Sequence, residues 1–189
     1  MDVPILKRVA AALALTVSVS VAEEPSVPVG LQVELLARVS GYDRNFMGRA
    51  GDRAHVLVVA RPGNLGSKSV SREALRAFGA TTQIAGIPAD ATAIDYAGAT
   101  QLADEAKKRK AAIVYFAPGF SDEASKVANA FTGLDVLTVS SIAGDVEKGI
   151  VLGFDLASGR PKLLVHLTQA RKQNAAFKAE ALKLMKVVE

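Results

Sequence analysis

The chain has 189 residues, half of them hydrophobic and 22% charged, a balance that is typical of a folded domain and argues against intrinsic disorder. Its formal net charge of +4 is too small, and its basic residues too little clustered with aromatic ones, to indicate a nucleic-acid surface. It contains no cysteine, which excludes a disulfide framework and a thiolate nucleophile.

The first 22 residues have the pattern of a cleavable secretory signal. Lys7 and Arg8 precede an uncharged stretch, residues 9–22, which closes with the small-residue pattern Ser20-Val21-Ala22. A signal has an apolar region of about 7–15 residues, whereas a membrane-spanning helix needs about 20. We therefore predict export with cleavage after Ala22, and a mobile, proline-containing leader over residues 23–28. An uncleaved membrane anchor is the alternative.

The first part of the domain alternates helix and strand. Apolar residues at helical spacing predict a helix over residues 29–39, which Gly41 ends by taking the left-handed conformation. The apolar run of residues 54–60 is typical of a strand covered on both faces, as in parallel sheets. Ser71 is the expected N-cap of the next helix, which runs to Phe78.

The same alternation continues through the middle of the chain. At least one strand is expected within residues 81–87 and 91–96. The remaining patterns predict a helix over 100–110, a buried strand over 111–116, a helix starting at Ser121-Asp122-Glu123 and ending near Phe131, and a short strand over 135–140.

The pattern changes near the end of the chain. Residues 150–156 and 162–167 flank a turn-rich connection and predict an antiparallel hairpin. Thr168 is the expected cap of one long closing helix. The element order predicts a single α/β domain over residues 29–189. We expect a three-layer sandwich with a mostly parallel sheet, an antiparallel edge hairpin and a C-terminal helix.

The segment Gly63–Ser69 follows a predicted strand and resembles a phosphate-binding loop in context only. Such a loop has four residues between its glycines and a lysine after the second, but here two residues intervene and Ser67 follows Gly66. A flexible connection from strand to helix is the better interpretation.

The search for catalytic chemistry gives no signature. His55 and His166 both lie in predicted strands and are interpreted as structural, without the neighbouring ligands that a metal site needs. No Gly-x-Ser-x-Gly elbow is present, although a triad assembled from distant residues stays open and keeps a hydrolase as a minor alternative. We assign no catalytic residue, metal or cofactor.

Two places carry candidate binding residues. The polar turn after the first helix is explained either by turn chemistry or by use in binding. The other place is the carboxyl edge of the predicted parallel strands, where α/β sheets bind their ligands. Together they give six candidates: Tyr42, Asp43, Arg44, Arg61, Asn64 and Phe120.

The chain resembles the YfiR-like (HmsC-like) periplasmic proteins of bacteria over residues 30–189. The resemblance is most specific in the strand 136–140, the glycine-led strand 149–154 and the terminal segment 181–188. The first helix followed by Tyr42-Asp43-Arg44-Asn45 is also similar to one branch of that family.

This resemblance implies a periplasmic α/β sandwich without catalytic residues. The best-known member restrains an inner-membrane diguanylate cyclase by binding its periplasmic part, which controls cyclic-di-GMP and biofilm formation. We therefore expect a membrane-anchored protein partner, with a homodimer as a further option. Disulfide-based redox control does not carry over, because this chain lacks cysteine. The alternative is a periplasmic small-molecule-binding component of a transport or sensing system.

Overall fold

The computed structural model describes residues 23–189, so the predicted signal peptide and its cleavage site lie outside the described residues. Within residues 23–189, every helix is too short or too polar to traverse a bilayer. The segment predicted as a leader runs directly into the first helix, and its Val27 is fully buried.

One mixed sheet of eight strands organises the described chain. The strands are β1 (Ala54–Ala60), β2 (Gln83–Ile84), β3 (Ile87–Asp95), β4 (Ala111–Phe116), β5 (Leu137–Ser140), β6 (Leu152–Ala157), β7 (Arg160–His166) and β8 (Lys186–Val188). Their spatial order is β2-β3-β1-β4-β5-β6-β7-β8. The β2–β3 and β6–β7 pairs are antiparallel, and the other neighbours are parallel.

Helices cover both faces of this sheet. They are α1 (Val29–Ser40), α2 (Phe46–Ala50), α3 (Leu65–Ala80), α4 (Ala99–Lys108), α5 (Ala124–Phe131), a 3₁₀ helix (Ala143–Lys148), α6 (Leu167–Lys172) and α7 (Ala179–Leu182). This confirms the predicted α/β sandwich with a mostly parallel sheet, an antiparallel hairpin and a helix after it.

The two faces of the central strands supply two hydrophobic cores. Successive strand residues point to opposite faces, so Val58 packs in the core beneath α1 and α3, whereas Val59 packs in the core beneath α4 and α5. The neighbouring strand divides in the same way, with Tyr115 in the first core and Phe116 in the second. Burial on both faces explains why β1 and β4 have continuous apolar sequences.

The order of the strands creates a switch point between β1 and β4. The chain leaves β1 through α3 to reach β3 on one side, then returns through α4 to β4 on the other side. The loops after β1 and β4 therefore diverge at the carboxyl ends of two adjacent strands. In open α/β sheets this is the usual position of a ligand crevice.

Helix α3 begins earlier than the sequence predicted. Asn64, not Ser71, is its N-cap, and the Asn64 side-chain oxygen accepts a hydrogen bond of 2.8 Å from the Ser67 N–H. Ser71 is buried within the helix. The prediction of a flexible connection over residues 63–69 is therefore wrong, because residues 64–69 form the cap and the start of α3.

Two further predictions about helix ends need correction. Gly41 follows α1 as predicted, but its φ of −69° is right-handed, so the helix ends without the left-handed glycine motif. Helix α5 begins at Ala124 without a side-chain cap. The Ser121 hydroxyl instead donates to the buried carboxylate of Asp145, at 3.0 Å.

The predicted long closing helix is broken into separate pieces. Helix α6 starts at Leu167, one residue before the predicted cap Thr168, and His166 accepts the capping hydrogen bond from the Gln169 N–H. The chain then turns at Asn174, where φ is +55°, forms the short helix α7, and ends in strand β8 beside β7. Helical spacing alone did not reveal this break, because distant residues hold it in place.

Candidate functional site

The six candidate residues lie at opposite ends of the sheet. Tyr42, Asp43 and Arg44 precede α2 and lie near the amino ends of the parallel strands. Arg61 and Asn64 follow β1, and Phe120 follows β4, at the carboxyl ends. The structure therefore gives two separate groups of candidate residues.

At the amino-end group, Asp43 is the centre of a buried network. Its side chain is fully buried and makes an ion pair of 2.7 Å with Arg49, whose side chain is 1% exposed. The other Asp43 oxygen accepts hydrogen bonds from the N–H groups of Asn45 and Ala176, at 3.1 and 2.8 Å. Asp43 therefore fixes the fold, whereas its neighbours Tyr42 and Arg44 are exposed on the surface.

Arg49 is the residue of this group that the sequence analysis missed. Its guanidinium also donates to the carboxylate of Asp135 at 2.8 Å and to the carbonyl of Asn174 at 3.0 Å. These partners are far away in sequence, so no local motif marks Arg49. Its position six residues after Asp43 was the only available signal.

At the carboxyl ends, Arg61 ties the loop after β1 to the loop after β4. Its guanidinium donates to the carbonyl of Gly119 at 2.5 Å and makes a two-pronged ion pair with Asp122. The hydrogen bonds of this pair raise the pKa of Arg61 and lower the pKa of Asp122. Arg61 therefore has its charge satisfied within the chain and acts as a clamp between the two loops.

Asn64 and Phe120 also have structural partners. Asn64 caps α3, as described above. Its side chain also lies close to Gly119: a Cβ atom added at Gly119 would come within 2.9 Å of the Asn64 side-chain nitrogen, so the two loops pack tightly here. Phe120 is buried, with its ring edge-to-face against Tyr96 and Phe116 at centroid distances of 5.1 and 5.2 Å. These residues shape the loops at the switch point without presenting a free reactive group.

Tyr96 belongs to a second group of polar side chains at the carboxyl ends, on the side of α5. Its hydroxyl donates to the carboxylate of Glu123 at 3.0 Å, and burial of the ring, with this hydrogen bond, raises the pKa of Tyr96. Lys126 pairs with the same glutamate at 2.7 Å. The charged side chains at this edge of the sheet therefore neutralise one another in pairs: Arg61 with Asp122, and Lys126 with Glu123.

The carboxyl ends also border a cavity of about 290 Å³ on the α1 and α3 side of the sheet. One wall is residues 23–29, the opposite wall is the first turns of α3 from Gly66 to Glu73, and Pro118 from the loop after β4 contributes a third side. This cavity was not predicted from the sequence, because residues 23–28 were expected to form a mobile leader.

A buried polar network anchors the first of these walls. The side-chain nitrogen of Gln32 donates to the carbonyls of Val27 and Ser141, at 2.8 and 3.4 Å. The side-chain oxygen of Gln32 accepts a hydrogen bond of 2.8 Å from Tyr115, and burial raises the pKa of that tyrosine. This network connects the segment before α1 to the ends of β4 and β5.

Asp145 is a second buried carboxyl near the carboxyl ends. It accepts hydrogen bonds from the hydroxyls of Ser140 and Ser121, at 2.7 and 3.0 Å. Burial raises the pKa of Asp145 above the ordinary value of 3.8, although both hydroxyl bonds oppose that rise. These contacts join the 3₁₀ helix to β5 and to the loop after β4.

The histidines lie apart from these serines. His55 makes a contact of 2.8 Å with Asp90 on the neighbouring strand, and His166 caps α6. In the part of the chain that the structure describes, no three histidine or acidic side chains are arranged to hold a metal ion.

The sheet order and the crevice at its switch point define a doubly wound α/β domain. A model of the YfiR/HmsC-like family matches residues 50–186, which is well over half of the chain. This protein therefore belongs to the YfiR/HmsC-like family, as its sequence resemblance predicted. No curated protein matches the chain.

Solved structures that share the fold include the following three. A conserved domain protein from Vibrio cholerae matches with a TM-score of 0.60 and 15% identity, covering 86% of this chain and 60% of that one. An ABC domain in complex with L-Trp from Streptococcus pneumonia matches with a TM-score of 0.58 and 12% identity, covering 86% and 62%. The ligand-free, open form of a substrate binding protein with adhesive properties from Clostridium difficile matches with a TM-score of 0.58 and 13% identity, covering 86% and 60%.

This chain spans about three fifths of the length of each of these structures. At such low identity the likeness shows the fold alone.

Proposed function

We propose that this chain is a non-catalytic, periplasmic regulatory protein that restrains a membrane-anchored signalling protein by direct contact. The family membership over residues 50–186 carries this proposal. The resemblance implies that the partner is an enzyme such as a diguanylate cyclase, and that the output is control of cyclic-di-GMP and biofilm formation. The predicted signal peptide supports a periplasmic location.

The state of the candidate residues supports a binding role over catalysis. The charged candidates Asp43 and Arg61 have their charges satisfied by Arg49 and Asp122 within the chain. Each pair holds its side chains in place, so neither Asp43 nor Arg61 is free to act as an acid or base. The chemistry of the site therefore favours a rigid scaffold that presents a surface.

Tyr42 and Arg44 are the residues that we propose for contact with the partner. Tyr42 is 46% exposed, Arg44 is exposed, and both flank the buried Asp43, which holds the backbone between them. Tyrosine and arginine are enriched among the residues that contribute most to protein interfaces. A rigid backbone also lowers the entropy cost of association.

Cyclic-di-GMP measurements in living cells test this function. Deleting the gene from its own bacterium should raise cyclic-di-GMP and biofilm several-fold, because the restraint on the cyclase is lost. The full chain should restore both, whereas a Tyr42→Ala/Arg44→Ala double variant should not.

The matched control is Leu156→Ala/Arg160→Ala, two exposed residues of the β6–β7 hairpin, which should restore like the unchanged chain. Equal cyclic-di-GMP with and without the gene would rule out the cyclase as the target. Restoration by the Tyr42→Ala/Arg44→Ala variant at equal protein level would place the contact elsewhere.

A second candidate function is a small-molecule-binding component of a transport or sensing system. The cavity at the switch point favours it, because ligands of open α/β sheets bind at this position. A thermal-shift screen with a broad metabolite library tests it, since a ligand that binds only the native state raises the melting temperature. A flat response across the library would remove this candidate.

A further inference from the structure

The outer edge of β3 is open along most of its length. On its inner side β3 pairs with β1 over residues 89–95, whereas on its outer side β2 pairs only with residues 87 and 88. The N–H of Ala89 also donates to the carbonyl of Thr82 at 3.0 Å. Among the described residues, the stretch 90–95 therefore has a neighbouring strand on one side only.

Alternate residues of this stretch direct their backbone groups outward. The N–H of Tyr96 donates to the carbonyl of Ala60 at the end of β1, so the even-numbered residues of β3 direct their backbone groups toward β1. The odd-numbered residues Ala91, Ala93 and Asp95 therefore present their N–H and C=O groups to the outer side. Within residues 23–189, no backbone group pairs with them there.

The side chains along this edge do little to block another strand. Natural edge strands are commonly protected by lysine, proline, a bulge or a very short length. Residues 91–94 carry no charge, and Thr92 and Ala93 are small and exposed. At the opposite edge of the sheet, β8 is only three residues long and begins at Lys186. Of these two edges, β3 is therefore the one that can accept a further strand.

A second copy of the same edge has the complementary pattern. Two copies of β3 that pair antiparallel about a two-fold axis at Ala93 place Ala91 of each copy opposite Asp95 of the other. Every outward N–H of these residues then meets an outward C=O of the second copy. The β3 strand of the second copy ends opposite Ala91, and so stops before Ala89, where Thr82 already occupies the edge.

The side chains are compatible with this register. Thr92 of each copy lies opposite Ile94 of the other, on the face where Ile94 packs against the core beneath α4. Ile94 is only half-buried in the single chain, so the pairing removes more of its apolar surface from water. A shift by one residue would place Asp90 opposite Asp95, but it would also set outward backbone groups against inward ones and is excluded.

We propose that this protein forms a two-fold homodimer in which the β3 edges of two copies pair antiparallel and join their sheets into one. The open length of the edge, its small uncharged centre and its self-complementary register carry the proposal. Such an interface uses the same surface of both copies, as a two-fold dimer requires. It includes neither Tyr42 nor Arg44 and is therefore independent of the contact proposed for the membrane partner.

Analytical ultracentrifugation of the protein exported to the periplasm tests the dimer. We expect a monomer–dimer equilibrium that Ala93→Lys weakens about tenfold, which corresponds to about 1.4 kcal/mol, because two like charges then face each other on the axis. Ala93 is exposed, so the single chain has room for lysine there. Val187→Lys is the matched control at the β8 edge: Val187 is 42% exposed, and this variant should associate like the unchanged chain.

A single introduced cysteine tests the register, because the natural chain has none. Opposite residues of an antiparallel hydrogen-bonded pair have Cα atoms about 5.5 Å apart, within the range of about 4.4–6.8 Å that a disulfide spans. Ala93→Cys should therefore give a covalent dimer on non-reducing electrophoresis after oxidation. Thr92→Cys is the control, since Thr92 is equally exposed but faces Ile94 of the second copy, and it should stay monomeric.

The outcomes decide between this interface and its alternatives. A monomer at all concentrations, without cross-linking of Ala93→Cys, would overturn the proposal. Loss of the dimer in Val187→Lys but not in Ala93→Lys would assign the interface to β8 instead. Equal cross-linking of Ala93→Cys and Thr92→Cys would refute the register. If lysine at position 93 prevents folding, the contrast between the two cysteine variants decides.

Discussion

Arg49 joins three distant parts of the chain: the turn at Asp43, the residue Asp135 before β5, and the carbonyl of Asn174 after α6. The Asp43–Arg49 pair has side-chain exposures of 0% and 1%. A buried pair adds little net stability, but removal of one partner leaves a buried charge without compensation. The polar turn was visible in the sequence, whereas its partner across the fold was not.

We predict that Arg49→Met lowers the free energy of unfolding by about 3–5 kcal/mol, because it leaves the carboxylate of Asp43 buried and unpaired. Urea denaturation followed by circular dichroism measures this change. Arg53→Met is the control: Arg53 is 51% exposed and lies 3.7 Å from Asp90, so its loss should cost less than about 1 kcal/mol. Equal effects of the two substitutions would show that the Asp43 network does not hold the fold.

Asp145 makes stability depend on pH in a predictable direction. Burial raises the pKa of Asp145 in the folded chain, so the folded state holds a proton that the unfolded state has released. The contribution of Asp145 is therefore full below the ordinary value of 3.8 and is lost as pH rises through its folded value. Lys148 and Glu23 are the charged neighbours that modify this shift, in opposite directions.

We predict that the stability of the unchanged chain, relative to Asp145→Asn, falls as pH rises from about 4 toward neutrality. The amide of the variant does not titrate, so the difference isolates this carboxyl from the other acidic residues. Urea denaturation of both proteins across that pH range measures it. A difference that stays constant, or that grows with pH, would contradict the assigned direction.

At the scale of elements, the sequence located helices and strands better than it located their ends. Strands β1 and β4 were predicted because continuous apolar runs can only be buried on both faces. The start of α3 was misplaced because both Asn64 and Ser71 are good caps, and only the hydrogen bond to Ser67 distinguishes them.

We predict that Asn64→Ala lowers the free energy of unfolding by about 1 kcal/mol, because it removes the cap of α3. Ser71→Ala should change it by no more than about 0.5 kcal/mol, because Ser71 lies within the helix and alanine favours that conformation. Thermal denaturation of the two variants under the same conditions compares them. A larger loss for Ser71→Ala would restore the helix start that the sequence suggested.

The end of the chain shows why periodicity alone misjudged an element. Residues 168–188 have apolar residues at helical spacing, yet the helix stops at Lys172. The buried carboxylate of Asp43 holds the N–H of Ala176, and Asn45 holds the carbonyl of Asn174 at 2.8 Å. These bonds come from residues about 130 positions earlier and override the local preference.

For the whole molecule, the fold class followed from the alternation of helices and strands, because short crossovers leave few arrangements for a parallel sheet. The loops after β1 and β4 were expected at the same carboxyl edge of the sheet, and the structure shows in addition that Arg61 bridges to Gly119 there. The cavity was not predicted, because one of its walls comes from a segment whose proline content suggested mobility. Within that segment, Val27 is fully buried and packs in the hydrophobic core beneath α1.

Export with removal of the first 22 residues is a further prediction. The protein recovered from the periplasm should begin at Glu23, because Ala22 closes the small-residue pattern of the signal. N-terminal sequencing or intact-mass measurement of the exported protein checks it. Recovery of the intact chain in the membrane fraction would support the alternative of an uncleaved anchor.

Capture from membranes is the sharpest test of the proposal that this protein acts by binding a membrane partner. The full chain with a C-terminal tag, cross-linked in its own bacterium, should enrich an inner-membrane protein that has a periplasmic part and a cytoplasmic signalling domain. The Tyr42→Ala/Arg44→Ala variant should lose that protein, and Leu156→Ala/Arg160→Ala should keep it. Failure to enrich any membrane protein under several growth conditions would contradict the claim.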